Sequence, residues 1–114
     1  MNELDNLKKS LLQAIDLFRE EKRDLLNLAF TKGGQAAVQK VEEEYDALIS
    51  SYFEILRRQL DENNSLYKKL VGDADQAAKA LEKDIKKLKD IESIINLSAS
   101  AVGLVGRLLI VLGI

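Results

Sequence analysis

The sequence predicts an all-α fold, an elongated antiparallel three-helix bundle of the coiled-coil type, on three observations. None of the 114 residues is proline, where average usage of about 5% would supply roughly six, so the commonest helix breaker is missing. The six glycines fall in three places: Gly33-Gly34, Gly72, and the C-terminal Gly103, Gly106 and Gly113. Between these places apolar residues recur in steps of three and four, the spacing of a helix-packing seam. At this length the chain is expected to form a single helical domain, 1–114, with a modest core. A hydrophobic content of 46% beside 32% charged residues is that of a folded protein and argues against wholesale disorder.

Helix 1 is expected over residues 3–31. Leu4, Leu7, Leu11, Ala14, Phe18, Leu25 and Leu28 share one stripe, on which Glu21 is the only charged occupant. Asn2 suits the N-cap, and Gly33-Gly34 stands where a helix C-terminus turns through the left-handed region. Helix 2 follows over 35–71 with a stripe two seams wide, as a helix with two neighbours requires. Val38, Val41, Tyr45, Leu48, Tyr52 and Ile55 form one seam; Ile49, Phe53, Leu56, Leu60, Asn63, Tyr67 and Leu70 form the other. Asn63-Asn64-Ser65 is its weak point, because these side chains compete for backbone hydrogen bonds. With no glycine or proline there, continuity is the expectation.

Gly72-Asp73 is read as the second turn, Asp73 and Gln76 making a capping box for helix 3 over 73–112. One register runs to the end of the chain through Ala74, Ala77, Leu81, Asp84, Leu88, Ile91, Ile95, Ser98, Val102, Val105, Leu109 and Leu112. Of these only Asp84 is charged. At about 1.5 Å per residue the three helices measure roughly 43, 55 and 60 Å. Tight turns fold each helix back on its predecessor, leaving helix 3 parallel to helix 1. Asp5/Lys9, Glu54/Arg58 and Glu82/Lys86 decorate the solvated faces as i,i+4 pairs.

Residues 73–92 carry eleven charged side chains, whereas 93–114 carry one, Arg107. The apolar tail IINLSASAVGLVGRLLIVLGI must therefore be covered by something apolar. In the three-helix topology the end of helix 1, the start of helix 2 and the tail meet at one apolar pole, formed by 25–38 and 102–114. Val102, Val105, Leu109 and Leu112 are expected in the core. Phe30, Leu104, Arg107, Leu108, Ile110 and Val111 then remain as an interaction surface, in which Arg107 facing a carboxylate would mark a subunit interface and Arg107 alone at a rim would favour lipid. An apolar surface of this kind on a free monomer marks an interface or a membrane contact.

Catalytic and cofactor chemistry is not expected. The chain has no histidine and no cysteine, which removes the usual general base, thiolate nucleophiles and the common transition-metal ligands. No phosphate-binding glycine loop is present, since Gly33-Gly34 lacks a following Lys-Ser/Thr. Glu42-Glu43-Glu44 points in three directions around a helix and reads as a solvated face, not a metal site. A net charge of −2 with interspersed signs offers no footprint for nucleic acid. The N-terminus lacks the apolar stretch of a signal peptide, so a cytoplasmic or membrane-associated location is the default.

The first expectation is a non-enzymatic interaction and assembly protein that forms a homo-oligomer or binds a helical protein partner. The second is a membrane-active protein, pore-forming or tail-anchored. Ile94–Ile114 supplies twenty-one residues for a span that needs about 20, although Asn96, Ser98, Ser100 and Arg107 make it marginal. Ala99 and Gly103 form a small-xxx-small pair that permits close helix approach. The helix pattern resembles that of many coiled-coil bundles, including components of α-helical pore-forming toxins, and no motif in it singles out one family.

Overall fold

In the computed structural model, residues 3–58, 65–87 and 90–111 are described, and they form an all-α molecule. Four helices account for them: α1 (Glu3–Glu20), α2 (Lys22–Leu56), α3 (Ser65–Lys87) and α4 (Ile91–Val111). The expected three-helix bundle is thus corrected to four helices.

The first expected helix is present in substance. The Glu21 amide donates to the Leu17 carbonyl and the Leu25 amide to the Glu21 carbonyl, both at 2.9 Å, so the helical spiral runs on from α1 into α2. Residues 3–33 therefore act as one rod. At 1.5 Å per residue it is about 46 Å long, which matches the 47 Å longest dimension of the molecule. Its buried stripe is Leu4, Leu7, Leu11, Ala14, Phe18, Leu25 and Ala29, joined by Ser10 and Ile15.

Gly34 divides α2 into arms 22–33 and 35–56. Its backbone, at φ 69° and ψ −156°, lies in a region essentially reserved for glycine. Gly33 is needed for space, because a Cβ there would stand 2.8 Å from the Ala37 Cβ. The second arm returns along the rod. Phe18 and Tyr45 bring their rings to 5.2 Å, Lys22 Nζ lies 4.7 Å from the centre of the Tyr45 ring, and Lys8 Nζ donates to the Arg58 carbonyl at 3.0 Å.

Beyond this hairpin the helix boundaries differ from those expected. Helix 2 does not run to residue 71: α2 ends at Leu56, and the Arg58 amide turns back onto the Ile55 carbonyl at 3.0 Å. Residues 59–64, which include Leu60 and Asn63 of the second expected seam, lie outside the described residues. The new helix α3 begins at Ser65 and passes without interruption through Gly72-Asp73, so there is no turn there. The reason is packing. The buried set Tyr67, Leu70, Val71, Ala74, Ala78, Leu81 and Ile85 is one continuous stripe of α3, and its first half joins Leu4, Leu7 and Leu11 in a common cluster. A turn at Gly72 would cut that stripe in two. Asp73 and Gln76 consequently lie inside a helix.

Helix 3 is likewise interrupted after Lys87, and α4 starts afresh at Ile91. Asp90 caps it: its carboxylate accepts from the Ser93 amide and its carbonyl from the Ile94 amide, both at 3.1 Å. The Ser93 hydroxyl reaches the Asp84 carboxylate across the corner. Asp84, the charged residue in the expected seam, is thus used to join α3 to α4.

α1 packs on α2 and α3, and α4 packs on α2 and α3. Among the described residues α1 and α4 are diagonal, as are α2 and α3. The Ser10 hydroxyl donates to the Asp75 carboxylate, and α1 and α3 share core clusters in the same order along both helices, so they run parallel. α4 is antiparallel to both. The bundle is two helical hairpins packed side by side.

Two substitutions test this arrangement, and the second separates it from a three-helix one. Gly34→Ala should lower unfolding free energy by about 1–3 kcal/mol, the range for a residue forced into a sparsely populated backbone region. A Cβ at Gly72 meets nothing within 4 Å. Gly72→Ala should therefore raise stability by about 0.5–1 kcal/mol, as replacement of a helix-interior glycine does. Urea denaturation reads both, and a destabilising Gly72→Ala would restore the turn at that position.

Candidate interaction surface

The fourth helix reverses the direction of the tail, and this rearranges the expected apolar pole. Lys32, Gly33 and Ala37 at the Gly34 end face Ile91, Glu92 and Ile95 at the start of α4. The far end of α4 lies with the beginning of α1: Val105 and Leu108, with Leu104, Leu109 and Val111 partly buried beside them, belong to the cluster of Leu4, Leu7, Leu11, Ile55, Tyr67 and Leu70. Segments 25–38 and 102–111 therefore occupy opposite ends of the molecule. No single pole unites them.

The buried stripe of α4 is Ile91, Ile94, Ser98, Ala101, Val105 and Leu108. Ile91, Ser98 and Val105 hold their expected places, whereas Ile94, Ala101 and Leu108 take the core positions expected of Ile95, Val102 and Leu109. These three are half-buried at one edge of the stripe, and Leu97, Leu104 and Val111 are half-buried at the other. Glu92, Asn96, Ala99, Ser100, Gly103, Arg107 and Ile110 are exposed on the outward side. The middle of that side is built from small residues, and a Cβ at Gly103 meets nothing within 4 Å. Ser98 lies fully in the core, where its hydroxyl donates to the Ile94 carbonyl one turn back at 2.8 Å. Its polar group is thus satisfied within α4 itself.

The six side chains singled out in the sequence are therefore placed differently from one another. Leu108 is buried completely, contrary to its assignment to the surface. Leu104 and Val111 are half-buried. Ile110 is 78% exposed and Arg107 is exposed near it. Phe30, 61% exposed, stands alone toward the Gly34 end.

Two grooves emerge that the periodicity did not indicate. One, of about 200 Å³, lies between the start of α3 and the end of α4 and is lined by Leu66, Leu70, Arg107, Ile110 and Val111. The other, of about 130 Å³, lies between α1 and the second arm of α2, where Leu12, Ile15, Ile49, Tyr52 and Phe53 are edged by Asp16 and Arg19. Asp16 and Arg19 pair with each other. Leu66 is off every expected seam, and its exposure became legible only once a helix start was placed at Ser65.

Of the titratable groups, Glu42 and Glu43 are exposed and Glu44 is half-buried. No group of three metal-ligating side chains occurs among the described residues. Glu54–Arg58 and Glu82–Lys86 are within ion-pair reach at 3.6 and 3.4 Å, as helix-surface pairs. Compared with protein-family models, curated proteins and solved structures, the chain matches none.

Truncation separates the core stripe of α4 from its surface. Leu108→Ala should cost about 2–5 kcal/mol, the range for a buried leucine emptied into a close-packed core. Ile110→Ala should change stability by no more than about 0.5 kcal/mol, as exposed positions do. Thermal or urea unfolding of the two variants would show equal losses if the expected register were the real one.

Proposed function

We propose that this protein is a non-enzymatic association module whose interaction surface is α4, covered by a second copy or by a helical protein partner. The observation that carries this reading is the charge content of α4. From Ser93 to Gly106 no face of the helix bears a charge, and the bundle core takes only one of its faces. A helix with one buried stripe normally carries charged residues opposite it. Here the opposite side is Ala99, Ser100 and Gly103, which lets a second helix approach closely. The absence of histidine and cysteine from the sequence supports the non-enzymatic part of the reading.

A second reading, insertion of α4 into lipid, is favoured by a separate observation. α4 is the one helix among the described residues long and apolar enough to cross a membrane, and only 28% of its most apolar window is buried in the bundle. A 21-residue helix is about 31 Å long, close to the thickness of a bilayer's hydrocarbon core.

Gly103→Glu tests both readings without touching the core, since the site is open and glutamate is the better helix former. The intact chain should run as an oligomer in size-exclusion chromatography with light scattering, and Gly103→Glu as a folded monomer. If the intact chain is monomeric at every concentration, self-association falls and a separate helical partner is left as the association reading, while vesicle binding decides the second.

A further inference from the structure

The groove between the start of α3 and the end of α4 combines exposed apolar side chains with a cation that lines the same concavity. Ile110 is the most exposed of the large apolar side chains, and Leu66 across the groove is 51% exposed. Arg107 lines the same groove, is the one charged residue between Ser93 and Val111, and has no ion-pair or hydrogen-bond partner among the described residues. No acidic residue occurs in the first turn of α3, while Lys68 and Lys69, beyond the buried Tyr67, are exposed. Glu54, at the same end on α2, is within reach of Arg58. Glu3 and Asp5 lie on α1, and Asp61 and Glu62 in the α2–α3 connection fall outside the described residues.

We propose that this end of the bundle docks on an anionic phospholipid surface. Arg107 meets a lipid phosphate, and Ile110 and Leu66 enter the acyl boundary beside it. The inference rests on the lipid reading of α4 and names where contact begins and with which lipids. Exposed apolar side chains flanked by unpaired cations bind an anionic interface through both apolar burial and electrostatic attraction. Lipid is preferred to an acidic peptide because the apolar character does not stop at the groove: behind Arg107, α4 is uncharged on every face back to Ser93. Ser98 also carries its own acceptor, so its hydroxyl can follow α4 into an apolar medium without losing its hydrogen bond.

The test is flotation of the full chain with phosphatidylcholine vesicles, with and without phosphatidylglycerol. The expected result is binding that requires phosphatidylglycerol and weakens as salt is raised. Arg107→Gln and Lys69→Gln should each reduce it about five-fold, the effect of one cation near an anionic surface. Ile110→Ser should reduce it at least as much, and Phe30→Ser, at the other end, should leave it unchanged. All four positions are exposed, and circular dichroism verifies that each variant is folded. Equal binding to both vesicle types, unaffected by Arg107→Gln, would overturn the docking site while leaving the lipid reading of α4 intact. Binding to neither would overturn both. Arg107-dependent capture of poly-glutamate, without vesicle binding, would replace the lipid with an acidic protein partner and also overturn the proposal.

Discussion

The contact on which the architecture depends is the packing of Tyr67, Leu70, Val71 and Ala74 on Leu4, Leu7 and Leu11. Once residues 65–74 lie along the beginning of α1, they cannot also extend α2, whose end runs the other way. The chain must break before Ser65, and a helix that starts there runs parallel to α1. The next reversal then sends α4 back toward the beginning of α1. Everything notable about α4 follows: its far end meets the N-terminal half of the core, its outward side runs along about two thirds of the bundle, and Arg107 comes to lie beside Leu66. The Ser10–Asp75 hydrogen bond marks the register of this pairing. Its net worth is small beside the apolar area buried around it.

How much of this was legible depended on local contrast. The stripe of residues 3–29 stood out because charged residues fill the intervening positions, and Gly33-Gly34 marked its end. Gly34 does reverse the chain. The break before Ser65 is signalled only by Asn63-Asn64-Ser65, a weak local preference set against a long apolar seam; the decisive term is a contact some sixty residues away in sequence. Gly72 carried the opposite error, a glycine tolerated inside a helix because the stripe around it is buried. At the α3/α4 corner the signal was present in Asp90 and Ser93, a side-chain cap of the kind that Asp73 and Gln76 only imitate. In α4 itself charge is scarce and apolar residues border the buried stripe on both sides, so the register is marked only by Glu92, Asn96, Ser100 and Arg107 along the outward side. Periodicity cannot place Leu108 in the core and Leu109 at its edge when both are leucine.

That same uniformity gives α4 its functional interest. A helix of a soluble bundle is normally defined by the difference between two sides. In α4 the difference is muted: the outward side carries Asn96, Ala99, Ser100 and Gly103 in its middle, charge only at Glu92 and Arg107 toward its ends, and a large apolar residue at Ile110. Small outward residues suit close approach of another helix, whereas the apolar end beside an unpaired arginine suits an interface between water and lipid. The two surfaces lie at different heights on one helix, so occupation of one does not sterically require occupation of the other.

The pairing of hairpins carries a kinetic consequence. Within each hairpin, contacts begin beside the turn, as with Asp84 and Ser93, and in the first hairpin they extend outward to Lys8 and Arg58, 50 residues apart. Between hairpins, the α1–α3 contacts span 65 residues in the Ser10–Asp75 pair. Loop closure over that distance is entropically the most demanding step, and local helical contacts form first. Each hairpin therefore spends part of folding with one apolar face uncovered. For α4 this is the interval in which its core stripe and its outward side are open together, and the apolar surface it then shows to the surroundings exceeds anything the finished bundle presents.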